Sequence, residues 1–474
     1  LTHWQHPRFH AYFTGGQSYP DIVAEALTSA LATVNFCWDS SPAFTELEIV
    51  MVNWMGKIFN LPNEFLFNGN SSETSLGGGA MQNGGSDAIL LAFLVARHKR
   101  ITEICGNIDI HCRDKEHQVL NKLVAYASTE AHSSVEKAAL VTLVHMRPVQ
   151  ADKNFQMRGK DLEKQVQKDL EKGNIPFVVF VTLGTTSTGA YDQLKEIIPV
   201  AKKYNLWIHV DASYGGNAWC CEEFHYQMDG LKDVDSININ LHKTFLHNVP
   251  GTYFWTRNQR VLKEAMTVDP AYLHARHHGT ATDFRNWGVS LSRRALCLKT
   301  WFILRTYGVR GMQEYIRRVI IEIVGQQVFS LVCFRLKIDN NNNDDCNEMT
   351  KALVEYINHS QKLCITYAKC NGQSICRFSF GHQLALEKEI DESYEILSNL
   401  IEEFLQKSHL EQYSREILFK AGGGVVGSPV FVTQNTLRST SSYASLIHSG
   451  GHSPVPDQSS ASDQSNSRRL SPRK

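Results

Sequence analysis

The strongest constraint on the fold is a series of short apolar segments that are separated by amphipathic stretches. Residues 123–127, 177–181, 206–210 and 236–239 are the clearest of these segments. They carry apolar residues on both faces of the strands that they would form, and amphipathic stretches suited to helices lie between them. Burial on both faces is typical of a parallel sheet covered by helices. The sequence therefore predicts an α/β domain with a mostly parallel sheet.

The pattern changes near Arg310. Residues 312–325 are predicted to be helical, 329–334 to form a strand, and the stretches near 348–358 and 388–406 to be helices. This order predicts a smaller α+β domain. We divide the chain into an N-terminal helical segment (1–60), a large domain (61–310), a small C-terminal domain (311–407) and a tail rich in Ser, Gly and Pro (408–474). The end of the tail has almost no large apolar residue, so the tail is expected to be disordered.

Composition excludes several classes of function. Lys plus Arg and Asp plus Glu both number 48, which argues against a nucleic-acid or membrane-surface partner. No apolar run approaches the roughly 20 residues that span a bilayer. The 11 cysteines lack zinc-like spacing, so we expect reduced thiols, no bound metal and a cytoplasmic location.

A carboxylate and a lysine follow two successive predicted strands. Asp211 comes directly after residues 206–210, and Lys243 comes shortly after residues 236–239. The carboxyl ends of parallel strands meet at one edge of a sheet, where ligands of such folds bind. Asp211 alone would be interpreted as a turn cap. As a pair, the two residues suit pyridoxal 5′-phosphate (PLP), which needs an amine for its aldehyde and a carboxylate for its ring nitrogen.

Two further motifs fit the same ligand. Gly84, Gly85 and Ser86 end a glycine-rich turn that opens into an apolar helix, and such a helix start offers free backbone amides to a phosphate. On its own this motif is more often a simple turn. His132 precedes a helix for which Ser133 and Glu136 predict a capping box, so His132 is expected in a loop. Beside a lysine, an aspartate and a phosphate cradle, it becomes a candidate to stack on a cofactor ring.

The chain carries an ordered set of motifs that together resemble one family. They are HPRFHAYF, SPAFTELE, GGGAMQNGGSDA, AHSSVEKAAL, TLGTTSTGAYD, HVDASYGG, NLHKT, ATDFRNW and LSRR. The resemblance is to the group II PLP-dependent decarboxylases, which make amines from dopa, 5-hydroxytryptophan, tyrosine or histidine, and it runs from Thr2 to about Gln406. It implies the aspartate-aminotransferase type of fold, an amino-acid substrate, and a homodimer with its sites at the subunit interface.

The resemblance also implies roles for individual residues. Lys243 resembles the Schiff-base lysine, Asp211 the partner of the ring nitrogen, and His132 the stacked histidine. Tyr272 resembles a tyrosine on a mobile loop that helps to return a proton after carbon dioxide leaves. The cofactor-contacting positions are matched by Gly84, Gly85, Ser86, Thr186, Asn240 and His242, and positions that support them by Asp192 and Ser213.

The substrate pocket is assigned in the same way. Its wall matches Trp4, Tyr12, Phe13, Gly15 and Phe36. A buried core is an equally good interpretation of the four aromatic residues. Ser292 falls where histidine-specific relatives have Ser and dopa-specific ones have Gly, which favours histidine.

Four departures from the family bear on activity. Leu241 and Thr244 replace Pro and Trp on either side of the His-Lys pair, and residues 247–251 replace an Asn-Phe-Asp-Cys run. Thr14-Gly15 replaces Pro-Thr in the pocket. The chain is shorter than its relatives between Arg318 and Phe329, and its start lacks the helices with which they clasp their partner. We therefore expect a weaker dimer.

Three functions remain open at this point. The first is decarboxylation of an L-amino acid with an aromatic or imidazole side chain. The second is an oxygen-using aldehyde synthase, although relatives of that kind carry Phe at the loop tyrosine or Asn at the stacked histidine, and Tyr272 and His132 are retained here. The third is a non-catalytic subunit, which the altered surroundings of Lys243 would allow.

Overall fold

The computed structural model describes most of the chain up to the C-terminal region. The described residues are 3–13, 15–68, 76–106, 114–274, 276–277, 279–318, 320–323, 326–329, 331–336, 343–380, 387–407, 417–421 and 430–431.

A seven-stranded sheet forms the centre of the larger part. Its order is β1-β7-β6-β5-β4-β2-β3. β7 pairs antiparallel with both of its neighbours, whereas the pairs from β6 to β3 are all parallel. The strands are β1 (Gly78–Gln82), β2 (Leu123–Ser128), β3 (His145–Val149), β4 (Ile175–Thr182), β5 (Trp207–Asp211), β6 (Ser236–Asn240) and β7 (Thr252–Thr256). The prediction of a mostly parallel α/β sheet is confirmed.

Helices pack against this sheet and complete its core. Phe93 of the long central helix stacks on Phe180 of β4, with ring centroids 4.3 Å apart. These helices are α1 (Tyr19–Leu31), α2 (Pro42–Ile58), α3 (Gly85–Cys105), α4 (Asp114–Leu120), α5 (Ser133–Val141), α6 (Gly159–Glu171), α7 (Leu194–Lys203), α8 (Leu241–Thr244), α9 (Gln259–Met266) and α10 (Cys297–Arg318). Every residue of β2, β5, β6 and β7 is buried, including the polar Ser236, Asn238 and Asn240 of β6.

A second, antiparallel sheet belongs to the smaller part, in the order β11-β12-β10-β13-β14. Its strands are β10 (Leu331–Leu336), β11 (Thr366–Cys370), β12 (Gln373–Ser379), β13 (Ile417–Ala421) and β14 (Val430–Phe431). Helices α11 (Asn343–His359) and α12 (Glu387–Lys407) share a separate apolar core with it, which includes Leu353, Phe378 and Leu400. The predicted small α+β domain is confirmed as a fold class.

Several local predictions were wrong. The glycine-rich segment was predicted as a turn, but its first half is the edge strand β1. The helix predicted over 312–325 ends with α10 at Arg318, and a hairpin of β8 (Ile320–Ile323) and β9 (Gln326–Phe329) follows. Position 310, where we divided the large domain from the small one, lies inside α10, near a break at Gly308, whose φ is 64°. The division itself stays a prediction.

The tail predicted over 408–474 is described only in part. β13 and β14 belong to it, and β13 pairs with β10, so these short segments are strands rather than disordered chain. The rest of 408–474 lies outside the described residues. Among the described helices, none combines the length and the apolar character that a membrane crossing requires.

Candidate active site

Four parallel strands end at the same edge of the large sheet, and the residues that follow them form the candidate site. β2 leads to His132, β4 to Thr186, β5 to Asp211 and β6 to Lys243. Asp211 is paired with Asn238 in the register of β5 and β6. Parallel pairing therefore brings together residues that are far apart in the sequence, at the edge where ligands bind in such folds.

Asp211 is buried and held by two hydrogen bonds. Its Oδ1 accepts from the backbone N–H of Ser213 at 3.0 Å and from Nδ2 of Asn238 at 3.2 Å. None of the described residues donates a hydrogen bond to Oδ2 of Asp211. This oxygen can therefore accept a hydrogen bond from an N–H group of a ligand. The arrangement suits a carboxylate that must stay in one orientation beside a ring nitrogen.

A buried polar network holds Asn238, which in turn bonds to Asp211. The sequence did not predict this network. His209 Nε2 donates to Asn238 Oδ1 at 2.8 Å, and Ser236 Oγ donates to His209 Nδ1 at 2.8 Å. Trp207 Nε1 donates to the same hydroxyl at 2.8 Å. Burial lowers the pKa of His209 to about 4, so this imidazole is neutral near pH 7. The only sequence signal was polar residues at inward positions of otherwise apolar strands.

Lys243 lies within α8, a single helical turn, and is half-buried. Its Nζ lies 4.8 Å from the centroid of the Phe13 ring. Burial lowers the pKa of Lys243 to about 8, and the charge of Arg377 adds to this effect while Asp211 opposes it. A substantial fraction of the amine is therefore neutral near physiological pH, as a nucleophile requires. The turn forms although Leu241 and Thr244 replace the family's Pro and Trp, and both are buried.

Arg377 of β12 is a second cation beside Lys243, and the sequence analysis missed it as well. Its Cζ lies 5.1 Å from the centroid of the Phe13 ring, and its Nε donates to the carbonyl oxygen of Ser187 at 3.2 Å. Its Nη2 is buried and has no hydrogen-bond partner within the described part of the chain. A buried guanidinium with a free donor fits an anionic ligand.

His132 lies beside the same group of charges. Its Nδ1 accepts from the backbone N–H of Ser134 at 3.1 Å and is 2.8 Å from Ser134 Oγ, so Nε2 carries the proton when the ring is neutral. His132, rather than the predicted Ser133, is the N-cap of α5. Burial lowers the pKa of His132, the charge of Lys243 lowers it further, and Asp211 raises it.

The start of α3 is the candidate phosphate site. Gly84 is the N-cap and has no heavy atom within 4 Å of the place of a Cβ, so the space before the helix is open. A Cβ on Gly85 would lie 2.8 Å from Asn240 Nδ2 and 3.1 Å from Ser213 Oγ. Glycine therefore allows the helix start to approach these two polar groups. Ser86 lies exposed in the first turn of α3.

The remaining cofactor-side candidates take supporting places. His242 Nδ1 donates to the carbonyl oxygen of Gly251 at 3.0 Å, and burial lowers its pKa to about 4. Asp192 accepts from the N–H groups of Met157 at 2.7 Å and Thr182 at 2.8 Å, and burial raises its pKa to about 7. Thr186 is half-buried in the loop that also presents the carbonyl oxygen bound by Arg377.

The substrate-wall candidates are only partly gathered at the site. Phe13 reaches Lys243, and Gly15 follows in the same segment, with its carbonyl bound by Gln5 Nε2 at 3.0 Å. Trp4 and Tyr12 stack on each other at 5.5 Å but are largely exposed. Two more candidates, Phe36 and Ser292, show no contact with Lys243 in the described part of the chain. Phe36 is half-buried, Ser292 is exposed in the loop before α10, and Tyr272 is described only by its backbone, in the turn Ala271–Leu273.

The donor set fits PLP. Lys243 offers an amine that is neutral in part, Asp211 a fixed carboxylate, and the start of α3 an open anion site lined by Asn240 and Ser213. These groups correspond to the aldehyde, the ring nitrogen and the phosphate of the cofactor.

Comparison with known proteins identifies the family. The "Pyridoxal-dependent decarboxylase conserved domain" family matches residues 1–337. The chain is 40% identical to the aromatic-L-amino-acid decarboxylase of Drosophila simulans over 86% of this chain and 80% of that one. It is 38% identical to the histidine decarboxylase of Drosophila melanogaster, over 80% of this chain and 45% of that one.

Solved structures agree with this result. The structure of Oryza sativa TDC with PLP and tryptamine has a TM-score of 0.78 and 30% identity, and the match covers 85% of both chains. Rhodiola rosea 4-hydroxyphenylacetaldehyde synthase has a TM-score of 0.75 and 33% identity, again over 85% of both chains. The chain belongs to the pyridoxal-dependent decarboxylases, carboxy-lyases that convert amino acids to amines with PLP as cofactor. The predicted family, fold, enzyme class and cofactor are confirmed, whereas the roles of single residues stay predictions.

The lowered pKa of Lys243 leads to a testable prediction. In the cofactor-free protein, pulse labelling with acetic anhydride followed by peptide mass spectrometry should show Lys243 reacting with a midpoint near pH 8. Exposed lysines should continue to gain reactivity well above that pH, because an ordinary lysine has a pKa of about 10.4. The prediction fails if the pH profile of Lys243 follows that of the exposed lysines.

Proposed function

We propose that this enzyme decarboxylates an L-amino acid with an aromatic or imidazole side chain, using the site around Lys243. The observation that carries the proposal is that the Lys243 amine, beside Asp211, and the guanidinium of Arg377 both lie over the ring of Phe13, and that Arg377 keeps a free donor. The site therefore combines three features: an amine for the cofactor on Lys243, a positive charge for an acidic group on Arg377, and an aromatic surface for a flat side chain on Phe13.

Each side chain has a specific task in this proposal. PLP, when bound, supplies a sink for the electrons of the bond between Cα and the carboxylate. Lys243 would hold the cofactor through its amine, and Asp211 would keep a proton at the ring nitrogen. The family resemblance implies that His132 would stack on the ring and that Tyr272 would supply a proton to Cα. Arg377 attracts the anionic end of the substrate, because its Nη2 otherwise stays buried and unsatisfied.

The proposed enzyme acts as a homodimer. The inner face of α1 carries Asp21, Ala24 and Thr28, whereas its outer face exposes apolar side chains. The exposed apolar residues of α1 are Ile22, Val23, Leu27 and Leu31. A contiguous apolar surface of this kind favours a protein partner. A second copy of the chain would also cover the exposed Trp4, Tyr12 and Ser292.

The dimer can be tested on the outer face of α1. Val23→Glu should shift the protein toward monomers in sedimentation experiments and make its thermal midpoint more dependent on concentration, because it would bury an unpaired charge. Leu170→Glu is the matched control. It changes an exposed leucine of α6, which packs on β3, β4 and α7 instead. A wild-type protein that stays monomeric while saturated with PLP would contradict the proposal.

The choice between decarboxylase and aldehyde synthase can be tested by following the products. Incubation with an aromatic amino acid in an oxygen electrode should yield carbon dioxide and amine in equal amounts without oxygen uptake. This result is expected because Tyr272 and His132, the residues that differ in aldehyde synthases, are both retained. Oxygen consumption with aldehyde formation would favour the synthase, and the absence of any product would favour a non-catalytic subunit.

The substrate can be tested through Ser292. In the proposed dimer, the Ser292 hydroxyl of one copy lines the substrate pocket of the other. It leaves less room for a catechol ring and offers a hydrogen bond to an imidazole nitrogen, so we predict a modest preference for histidine over dopa. Carbon dioxide release from histidine, dopa, tyrosine and 5-hydroxytryptophan should be compared side by side. Ser292→Gly should shift the preference toward dopa, whereas Ser290→Gly in the same exposed loop should not. A clear preference of the wild-type enzyme for dopa would refute the prediction.

A further inference from the structure

A fully buried lysine of α10, Lys299, binds the segment that follows the cofactor-bearing helix. Its Nζ donates to the carbonyl oxygens of Asn248 at 3.0 Å and Pro250 at 3.3 Å, and also to the side-chain amide oxygen of Asn248. These three oxygens account for the three N–H bonds of the ammonium group. One buried cation therefore binds the segment 248–250 at three oxygens.

The carboxylates that face this cation come from α1. Asp21 Oδ1 lies 3.6 Å from Lys299 Nζ, and Glu25 Oε2 lies 3.4 Å from it. Asp21 is also fully buried, and its Oδ2 accepts from the backbone N–H of Asn248 at 3.1 Å. A buried ammonium without a nearby carboxylate would be strongly destabilising. Asp21 therefore balances the charge and binds the same segment directly.

The segment is connected in turn to the helix that carries Lys243. The carbonyl oxygen of Gly251 accepts from the backbone N–H of Leu241 at 2.9 Å and from Nδ1 of His242 at 3.0 Å. A helix of one turn has little stability of its own, because forming its first turn fixes many dihedral angles for one hydrogen bond. The orientation of α8 is therefore determined by the backbone to which it is bonded.

The N-terminal segment holds the other side of α8. The backbone N–H of Gly16 donates to the carbonyl oxygen of His242 at 2.8 Å, and Ser18, the N-cap of α1, donates through Oγ to the carbonyl oxygen of Leu246 at 2.9 Å. A Cβ on Gly16 would lie 2.9 Å from the backbone of His247, so the two segments are in close contact. The start of α1 and the region around Lys243 thus form one hydrogen-bonded unit.

The carboxylates beside Lys299 come from α1, because residues 247–251 contain none. We propose that Asp21 and Lys299 form a buried ion pair that positions the Lys243 helix for the cofactor.

The neighbouring titratable groups are consistent with this role. Burial lowers the pKa of His247 well below its usual value, and the charge of Lys299 lowers it further. Burial likewise lowers the pKa of His242, to which Lys243 and then Lys299 add. The imidazoles of His247 and His242 are therefore neutral near pH 7. This leaves Lys299 as the cation that Asp21 faces among the described residues around it.

The test measures the cofactor rather than turnover. Lys299→Met and Asp21→Asn should each raise the dissociation constant for PLP about ten- to hundredfold, the same range as when residues that orient metal ligands are lost. Each should also reduce the visible circular dichroism per bound cofactor. The double variant should lose less than the sum of the two single losses, because it removes both charges of the Asp21–Lys299 pair together. This double variant also keeps the test decisive if a single variant fails to fold.

A matched control separates positioning from general stability. Asp169 is a fully buried carboxylate on α6 that pairs with Arg147 at 3.1 Å. Asp169→Asn should lower the thermal midpoint but leave the affinity for PLP and the dichroism unchanged. The ion-pair proposal rests on the proposed function, but different results would overturn each of them. A wild-type protein that does not bind PLP would overturn the proposed function. Wild-type affinity and dichroism in the folded Asp21 and Lys299 variants would overturn the ion-pair proposal alone.

Discussion

The parallel pairing of β5 and β6 is the constraint on which the site depends. This pairing sets Asp211 opposite Asn238 and starts α8, with Lys243, directly after β6. Both strands are completely buried, so their register cannot shift without moving apolar side chains into a polar environment. The distance between the carboxylate and the amine is thus set by the core of the large sheet.

Polar groups inside this core then determine the direction of each charged side chain. His209 and Asn238 connect the buried strands to Asp211, and Asp21 with Lys299 connects α1 and α10 to the segment after Lys243. Buried polar groups are costly when they lack partners, so such networks favour one arrangement over alternatives. Lys243 lies near both the carboxylate of Asp211 and the guanidinium of Arg377, so positive charge exceeds negative charge around it, as expected of a site that receives an anionic cofactor and substrate.

The sequence predicted the parts of the fold that depend on local pattern. β2, β4 and β5 could be recognised because their residues are mostly apolar, and β6 by the alternation of Ile237 and Ile239 with polar residues. The edge of the sheet then placed Asp211 beside Lys243. β1 was missed because its glycines permit close packing against Phe67 and Trp287, a tertiary contact that no local pattern records. Arg377 was missed because only the docking of the antiparallel sheet brings it to Phe13. Ser292 was assigned to the pocket wall by resemblance, which does not say whether one chain alone buries it. In the single chain it is exposed.

The central claim, that Lys243 carries the cofactor, is tested most directly by reduction with borohydride. The purified protein with PLP should show an absorption band in the visible range that borohydride removes, and peptide mass spectrometry should find the reduced cofactor on Lys243. Lys299, which is buried nearby but bound to backbone oxygens, should carry no label. A label on another lysine, or the absence of a visible band at saturating PLP, would contradict the account.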